Sequence, residues 1–205
     1  MKRIVLYLAL FLMSMQALLA QEVSLLKDIN VTSSDDGLRI YESIAVGNMV
    51  YMIADNNLQE KGLWKSDGTA QGTMLIKEFK GFRNIDKLTS SNGIIYFTTQ
   101  NDYQGDQLWK SNGTPEGTVF FQLGRYSHYD PNRPVLLDIN GTLYYYGASG
   151  LMKTDGTAQG TVLVKSLDYY DEEIEQMVNV NGKLFLIIGN RWTRIRNIYK
   201  SDGTA

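Results

Sequence analysis

The sequence predicts an all-β fold, a β-propeller of four-stranded antiparallel blades, and three observations carry that expectation. The first is a repeat. Leu63-Trp64-Lys65-Ser66-Asp67-Gly68-Thr69-Ala70-Gln71-Gly72-Thr73 returns as Leu108 to Thr118 and as Leu151 to Thr161, and Ile198 to Ala205 is an eight-residue fourth copy. The first glycines of the copies, Gly68, Gly113, Gly156 and Gly203, stand 45, 43 and 47 residues apart, a period that suits one propeller blade. The second is an Asn-Gly pair between apolar runs at Asn92-Gly93, Asn140-Gly141 and Asn181-Gly182, with the variant Gly47-Asn48 in the first unit. Such a pair favours a tight hairpin, because a type I′ turn needs positive φ at both central residues. The third is composition: 13 Tyr, 7 Phe and 3 Trp with 19 Gly and only 3 Pro suit short aromatic strands joined by glycine turns.

Each unit then reads in order. A first strand runs before the Asn-Gly pair (Ile85 to Ser91, Val135 to Ile139, Met177 to Val180), and the aromatic run after it is the second. The Trp motif supplies the third, which ends at Asp-Gly-Thr. There the Asp or Asn side chain can bond its own backbone, Gly takes positive φ, and the Thr hydroxyl secures the turn. The fourth follows as Thr73 to Phe79, Thr118 to Leu123 and Thr161 to Leu167. Val23-Ser24-Leu25-Leu26-Lys27-Asp28-Ile29 reads like a fourth strand with no first three before it, whereas the last unit has three strands and no fourth. An N-terminal strand completing the last blade would close a four-bladed ring and remove an open edge. The chain ending inside a turn at Ala205 instead suggests the front of a longer propeller truncated at its C-terminus.

Before the repeats, Lys2 and Arg3 precede an apolar run from Ile4 to Met13, and Leu18-Leu19-Ala20-Gln21 offers a cleavage point. That layout is a secretory signal peptide over residues 1–20, leaving 21–205 as the repeat domain. The apolar run is short for a membrane span, so no span is expected in the mature chain. The net charge of −2 favours neither nucleic acid nor an anionic membrane. With no Cys there is no disulfide framework, lipid-attachment thiol or thiolate metal site.

The motif Leu-Trp-Lys-Ser-Asp-Gly-Thr-Ala-Gln-Gly-Thr, with Leu75-Ile76-Lys77 or Leu163-Val164-Lys165 after it, resembles the ELWxxDGT repeat proteins, secreted or surface proteins of Bacteroidetes and myxobacteria. The resemblance spans nearly all of the chain after the signal peptide. It departs in lacking the leading Glu, and in Met152 and Tyr199 standing for Trp. It implies an extracellular or outer-membrane-surface address and carries no activity with it. Members of the family in Bacteroidetes often end in a sorting domain for type IX secretion, so the resemblance only implies that route.

Chemistry finds little support. His128 is the only histidine, which removes a two-histidine metal site and hangs any Ser-His-Asp triad on one loop residue. No glycine loop stands between a strand and a helix to cradle phosphate, and no cofactor is expected. Asp67, Asp155 and Asp202 recur at one repeat position that Asn112 also fills, which suits a turn former rather than a charged base. Trp64, Trp109, Met152 and Tyr199 share a position read as packing between blades. Asp55-Asn56-Asn57 and Asn101-Asp102 with Gly105-Asp106 could offer calcium oxygens but read better as solvated turns.

The segments that break the repeat are the candidates for function. Turns after the first and third strands fall on one rim; loops after the second, and the links between blades, fall on the other. The variable loops Asn56 to Gly62, Gln100 to Gln107 and Asn190 to Asn197, with the links Lys80 to Asn84, Gly124 to Pro134 and Asp168 to Glu175, gather Tyr103, Tyr126, His128, Tyr129, Arg133, Tyr169, Tyr170, Arg191, Trp192, Arg194 and Arg196. Loop aromatics and Arg are enriched at recognition surfaces. The expectation is a non-enzymatic module binding glycan or protein through this rim. The alternatives are a purely structural segment of a larger adhesin, and a polysaccharide-acting enzyme using Asp171 or Glu173. The arginines could instead pair with Asp171, Glu172 and Glu173 across neighbouring loops.

Overall fold

The computed structural model of the protein describes residues 39–55, 60–82, 84–101, 105–123, 136–168 and 170–202. These form four antiparallel sheets with no helix. The first sheet is β1 (Ile40–Val46), β2 (Met49–Asp55), β3 (Lys61–Ser66) and β4 (Met74–Glu78). The second is β5 (Asn84–Ser91), β6 (Ile94–Asn101), β7 (Gly105–Ser111) and β8 (Val119–Leu123). The third is β9 (Leu136–Ile139), β10 (Thr142–Gly147), β11 (Gly150–Thr154) and β12 (Val162–Ser166). The fourth is β13 (Glu172–Val180), β14 (Lys183–Asn190) and β15 (Arg196–Ser201). Within each sheet the strands are ordered as in the chain, so sequential neighbours pair up-and-down.

The expected all-β units and their order are therefore present, and the last has three strands among the described residues. The signal-peptide segment and the strand expected at Val23 to Ile29 lie outside those residues. Several boundaries differ from the sequence reading: Lys61 and Gly62 belong to β3, Asn84 to β5, Asn190 to β14, and Arg196 and Asn197 to β15. β13 begins at Glu172, five residues before Met177, and Gln100, Asn101 and Gly105 to Gln107 belong to strands rather than a loop. The polar run Glu172 to Gln176 lacks strand composition but forms a ladder with Ile187 to Asn190. Pairing there overrides weak intrinsic preference.

The Asn-Gly turns are built as their chemistry requires. Asn92 and Gly93 have φ of 50° and 77°, Asn140 and Gly141 of 53° and 82°, and Asn181 and Gly182 of 52° and 77°. In the first unit Gly47 has φ 60° while Asn48 stays out of the left-handed region, the pattern of a type II′ turn with Gly leading. Successive turns lie side by side: the Asn92 side chain stands against Gly141, and that of Asn140 against Gly182.

The first strands of successive sheets contact one another, β1 with β5, β5 with β9 and β9 with β13. Glu42 of β1 makes one such contact polar, its carboxylate accepting from the Lys87 and Leu88 amides at 3.0 and 2.7 Å. These amides sit at a register shift in the β5–β6 ladder, where Lys87 has φ 60°, so the carboxylate satisfies backbone that the ladder leaves out.

Among the described residues the core falls into three layers, one between each pair of successive sheets. Tyr51, Ile53 and Leu63 pack on Phe79, Ile85, Ile95 and Phe97 between the first and second. Tyr96 and Leu108 meet Leu136, Leu143 and Tyr145 between the second and third. Tyr144, Tyr146 and Leu151 meet Ile174, Met177, Leu184, Leu186 and Ile188 between the third and fourth. Trp109, Met152 and Tyr199, which share the Trp position of the motif, each pack into the layer before their own sheet. In the first layer Trp109 stacks on Phe97 and meets Phe79 edge-on, with ring centroids 6.4 and 5.0 Å apart.

Candidate functional site

Two features are built here, one that repeats and one that does not. The repeating one is the Asp-Gly-Thr turn between the third and fourth strands. In the first copy the Asp67 Oδ1 accepts from the Thr69 amide at 2.9 Å and the Thr69 hydroxyl at 2.8 Å. The Gly72 amide donates to Thr69 Oγ1 at 2.9 Å, and the Thr73 hydroxyl donates to the Thr69 carbonyl at 2.7 Å. Ser66 and Thr73 hydroxyls close the base of the turn at 2.7 Å. The same bonds recur around Asn112 and Thr114, and around Asp155 and Thr157. Asn serves as well as Asp because one acceptor oxygen is all the turn uses. The second glycine of the motif has its own cause: a Cβ on Gly72, Gly117 or Gly160 would stand within 2.1 Å of that Asp or Asn oxygen.

These carboxylates hold bonds that favour their charged form. The Thr69 hydroxyl, then its amide, holds Asp67 below its ordinary value, and Thr157 does the same for Asp155. Their contribution to stability is complete above the unfolded carboxylate value of about 3.9 and fades as pH falls through the lower folded value. Asp67→Asn with Asp155→Asn should therefore leave the neutral-pH melting temperature nearly unchanged and flatten its decline on acidification. An acid decline as steep as in the parent would contradict this origin.

The turn also joins sheets. Lys65 Nζ donates to the Gly113 carbonyl at 2.7 Å, and Lys110 Nζ to the Gly156 carbonyl at 2.8 Å. Beside each lysine stands its cross-strand partner, Tyr51 for Lys65 and Tyr96 for Lys110. The Tyr51 hydroxyl is placed where a Cβ on Gly113 would come within 2.5 Å, and Tyr96 with Ile94 crowds Gly156 likewise. Burial, reinforced by the Asp155 carboxylate of the next sheet, pushes the Tyr96 phenol up to about 12. Burial and then Asp202 raise Tyr144, which pairs with Lys153 and sits at the same repeat position. A Tyr-Lys pair in one sheet thus grips the turn glycine of the next.

The feature that does not repeat lies at the opposite end of the fourth sheet, where β13 begins and the β14–β15 hairpin turns. Asn190 Oδ1 accepts from the amides of Trp192 and Thr193 at 3.0 and 2.8 Å and from the Thr193 hydroxyl at 3.0 Å. Arg194 takes φ 59° to complete the turn. Across from it, Asp168 Oδ1 accepts from the Tyr170 and Asp171 amides, and the Arg191 amide donates to the Asp171 carbonyl at 2.8 Å. Two locally tied turns are thereby fastened to each other.

The side chains complete the fastening. Trp192 Nε1 donates to Asp171 Oδ1 at 3.0 Å, Arg191 Nε to Glu173 Oε2 at 3.0 Å, and Arg196 Nε to Glu175 Oε2 at 2.7 Å. Trp192 is nevertheless 76% exposed and Tyr170 73%. Of the residues expected on the rim, Tyr170, Arg191, Trp192, Arg194 and Arg196 fall together here, all exposed. Tyr103, Tyr126, His128, Tyr129, Arg133 and Tyr169 lie outside the described residues. The anticipated pairing of arginines with neighbouring acids holds for Arg191 and Glu173, while Arg196 takes Glu175.

Asp55, read as part of a solvated turn, does not lie in one. Asp55 ends β2, is buried, and accepts from the Arg39 amide at 3.0 Å and the Tyr41 hydroxyl at 2.7 Å. That bond to Asp55 is the main cause of a raised Tyr41 phenol. Among the described residues no group of three His, Cys, Asp or Glu side chains is disposed to hold a metal ion, and no helix is long and apolar enough to cross a membrane. Comparison of the sequence with protein-family models and with curated proteins finds no match.

Proposed function

We propose that the four sheets are blades of a β-propeller-type repeat domain, belonging to a secreted or surface protein of the kind the ELWxxDGT motif resembles, and that the domain binds glycan or protein without catalysis. The blade reading is supported by the contact of first strand with first strand from sheet to sheet, which suits strands lining a common axis. It is supported too by the identical grip of each sheet on the next turn.

The binding reading rests on one observation: Trp192 is anchored by its indole N–H and its backbone while its ring stays open to solvent. An aromatic surface fixed in advance loses little side-chain freedom on binding, and its open face can stack on a sugar or pack on an apolar protein patch. Asp171 and Glu173, the acids an enzyme reading would use, are engaged in holding Trp192 and Arg191, and this favours a positioning role.

The test is binding to a glycan array and to surface-exposed proteins of the same cell, with Trp192→Ala and Tyr129→Ala as variants. Saturable binding lost in Trp192→Ala, at an unchanged melting temperature, is the expected result. Binding that survives both substitutions would remove the rim from consideration, and no saturable binding at all would favour a purely structural repeat segment.

A further inference from the structure

The repeat provides its own standard for what each position should contact, and both end sheets depart from it. Leu63, Leu108 and Leu151 occupy one position of the motif and are 0%, 1% and 1% exposed; Ile198 occupies the same position in the fourth sheet and is 75% exposed. Its cross-strand partner is Ile187, and the neighbouring pair Phe185 and Lys200 corresponds to the Tyr-Lys grip of the earlier sheets. Tyr51, Tyr96 and Tyr144 are buried there, whereas Phe185 is only half-buried and Lys200 is exposed. The forward face of the fourth sheet is thus a grip that holds no turn among the described residues.

The first sheet presents the complement. Gly113 and Gly156 are buried under the preceding sheet's Tyr and Lys, but Gly68 is exposed, with nothing described within 4 Å of where its Cβ would stand. Val50, which corresponds to the buried Ile95, Leu143 and Leu184, is exposed, and so is Ile40, which corresponds to the buried Ile85 and Ile174. A strand added beside β15 would lengthen the fourth sheet without covering its face, so such a strand leaves the forward face open.

We propose that the forward face of the fourth sheet docks on the rear face of the first sheet of a second copy of this chain. Phe185 and Lys200 then grip the Gly68 turn as Tyr51 and Lys65 grip Gly113. The two surfaces match because each is the repeat equivalent of a surface that already finds its partner within the chain. The charges match as well, since Lys200 would meet the Gly68 carbonyl beside the Asp67 carboxylate. Such a contact is head-to-tail, and closes into a ring or runs on as a filament according to its rotation.

The absence of cysteine makes the test direct. Gly68→Cys and Lys200→Cys are made in separate chains, mixed, and treated with a short bis-maleimide. The expected result is a covalent dimer in the mixture, several-fold above that in either variant alone. A mixture no richer in dimer than the single variants would overturn the proposal, as would a doubly substituted chain that cross-links only within itself. Ile198→Asp, at a position too exposed to unsettle the fold, should lower the sedimentation coefficient of the associated species at an unchanged melting temperature. Unaltered sedimentation would count equally against it. Neither measurement depends on ligand binding at Trp192.

Discussion

Gly113→Ala should destabilise the protein by about 2–5 kcal/mol, whereas Gly68→Ala, at the same position of the same motif, should cost about 1–2 kcal/mol. Both glycines have positive φ, 85° and 90°, so both substitutions bear the strain of a Cβ in the left-handed region. The difference is the neighbour. At Gly113 the new methyl must displace the Tyr51 hydroxyl, which is itself buried in the layer between two sheets. At Gly68 it meets open space. Urea denaturation of the two variants measures the gap directly, and equal losses would mean that the motif glycine serves its own turn alone.

Leu151→Ala should cost about 2–5 kcal/mol, the range for deleting a buried leucine side chain and leaving a cavity. Ile198→Ala should stay within about 0.5 kcal/mol in the monomer, as surface substitutions do. The residues occupy equivalent places in their strands, and only Leu151 is covered, by the layer it shares with Tyr146 and Ile174. In a repeat protein stability is a sum of unit and interface contributions, so Leu151 reports an interface and Ile198 its absence. A loss at Ile198 as large as at Leu151, measured at low protein concentration, would show that its face is covered within one chain.

Much of this architecture was legible in the sequence because it is local. The Asn-Gly pairs at residues 92, 140 and 181 fix their own turns, and Asp67, Asn112 and Asp155 bond within four residues of themselves. What the sequence conceals is contact between units. Lys65 and Tyr51 lie 48 and 62 residues before Gly113, and nothing local marks them as its partners. A periodic clue was available, since Tyr and Lys keep a fixed place in the first three units, but it reads equally as strand composition.

Asp55 was misread for a related reason. Its place before two asparagines suggests a solvated loop, yet Tyr41 and Arg39 from the neighbouring strand edge satisfy it in a buried site. On the variable rim the sequence supplied the residue types and could not supply their pairing. Trp192 finds Asp171 only because β13 extends to Glu172 and brings the two turns to one end of the sheet.

The central claim is that the second and third copies of the motif are each held by the sheet before them. A double-mutant cycle between Tyr51→Phe and Gly113→Ala tests this most directly. Removing the Tyr51 hydroxyl takes away the nearest atom that a Cβ on Gly113 would meet. The account therefore predicts that Gly113→Ala costs about 1–3 kcal/mol less in the Tyr51→Phe background than in the parent. Losses that add to within about 0.5 kcal/mol would show the two sites to be independent, and would contradict it.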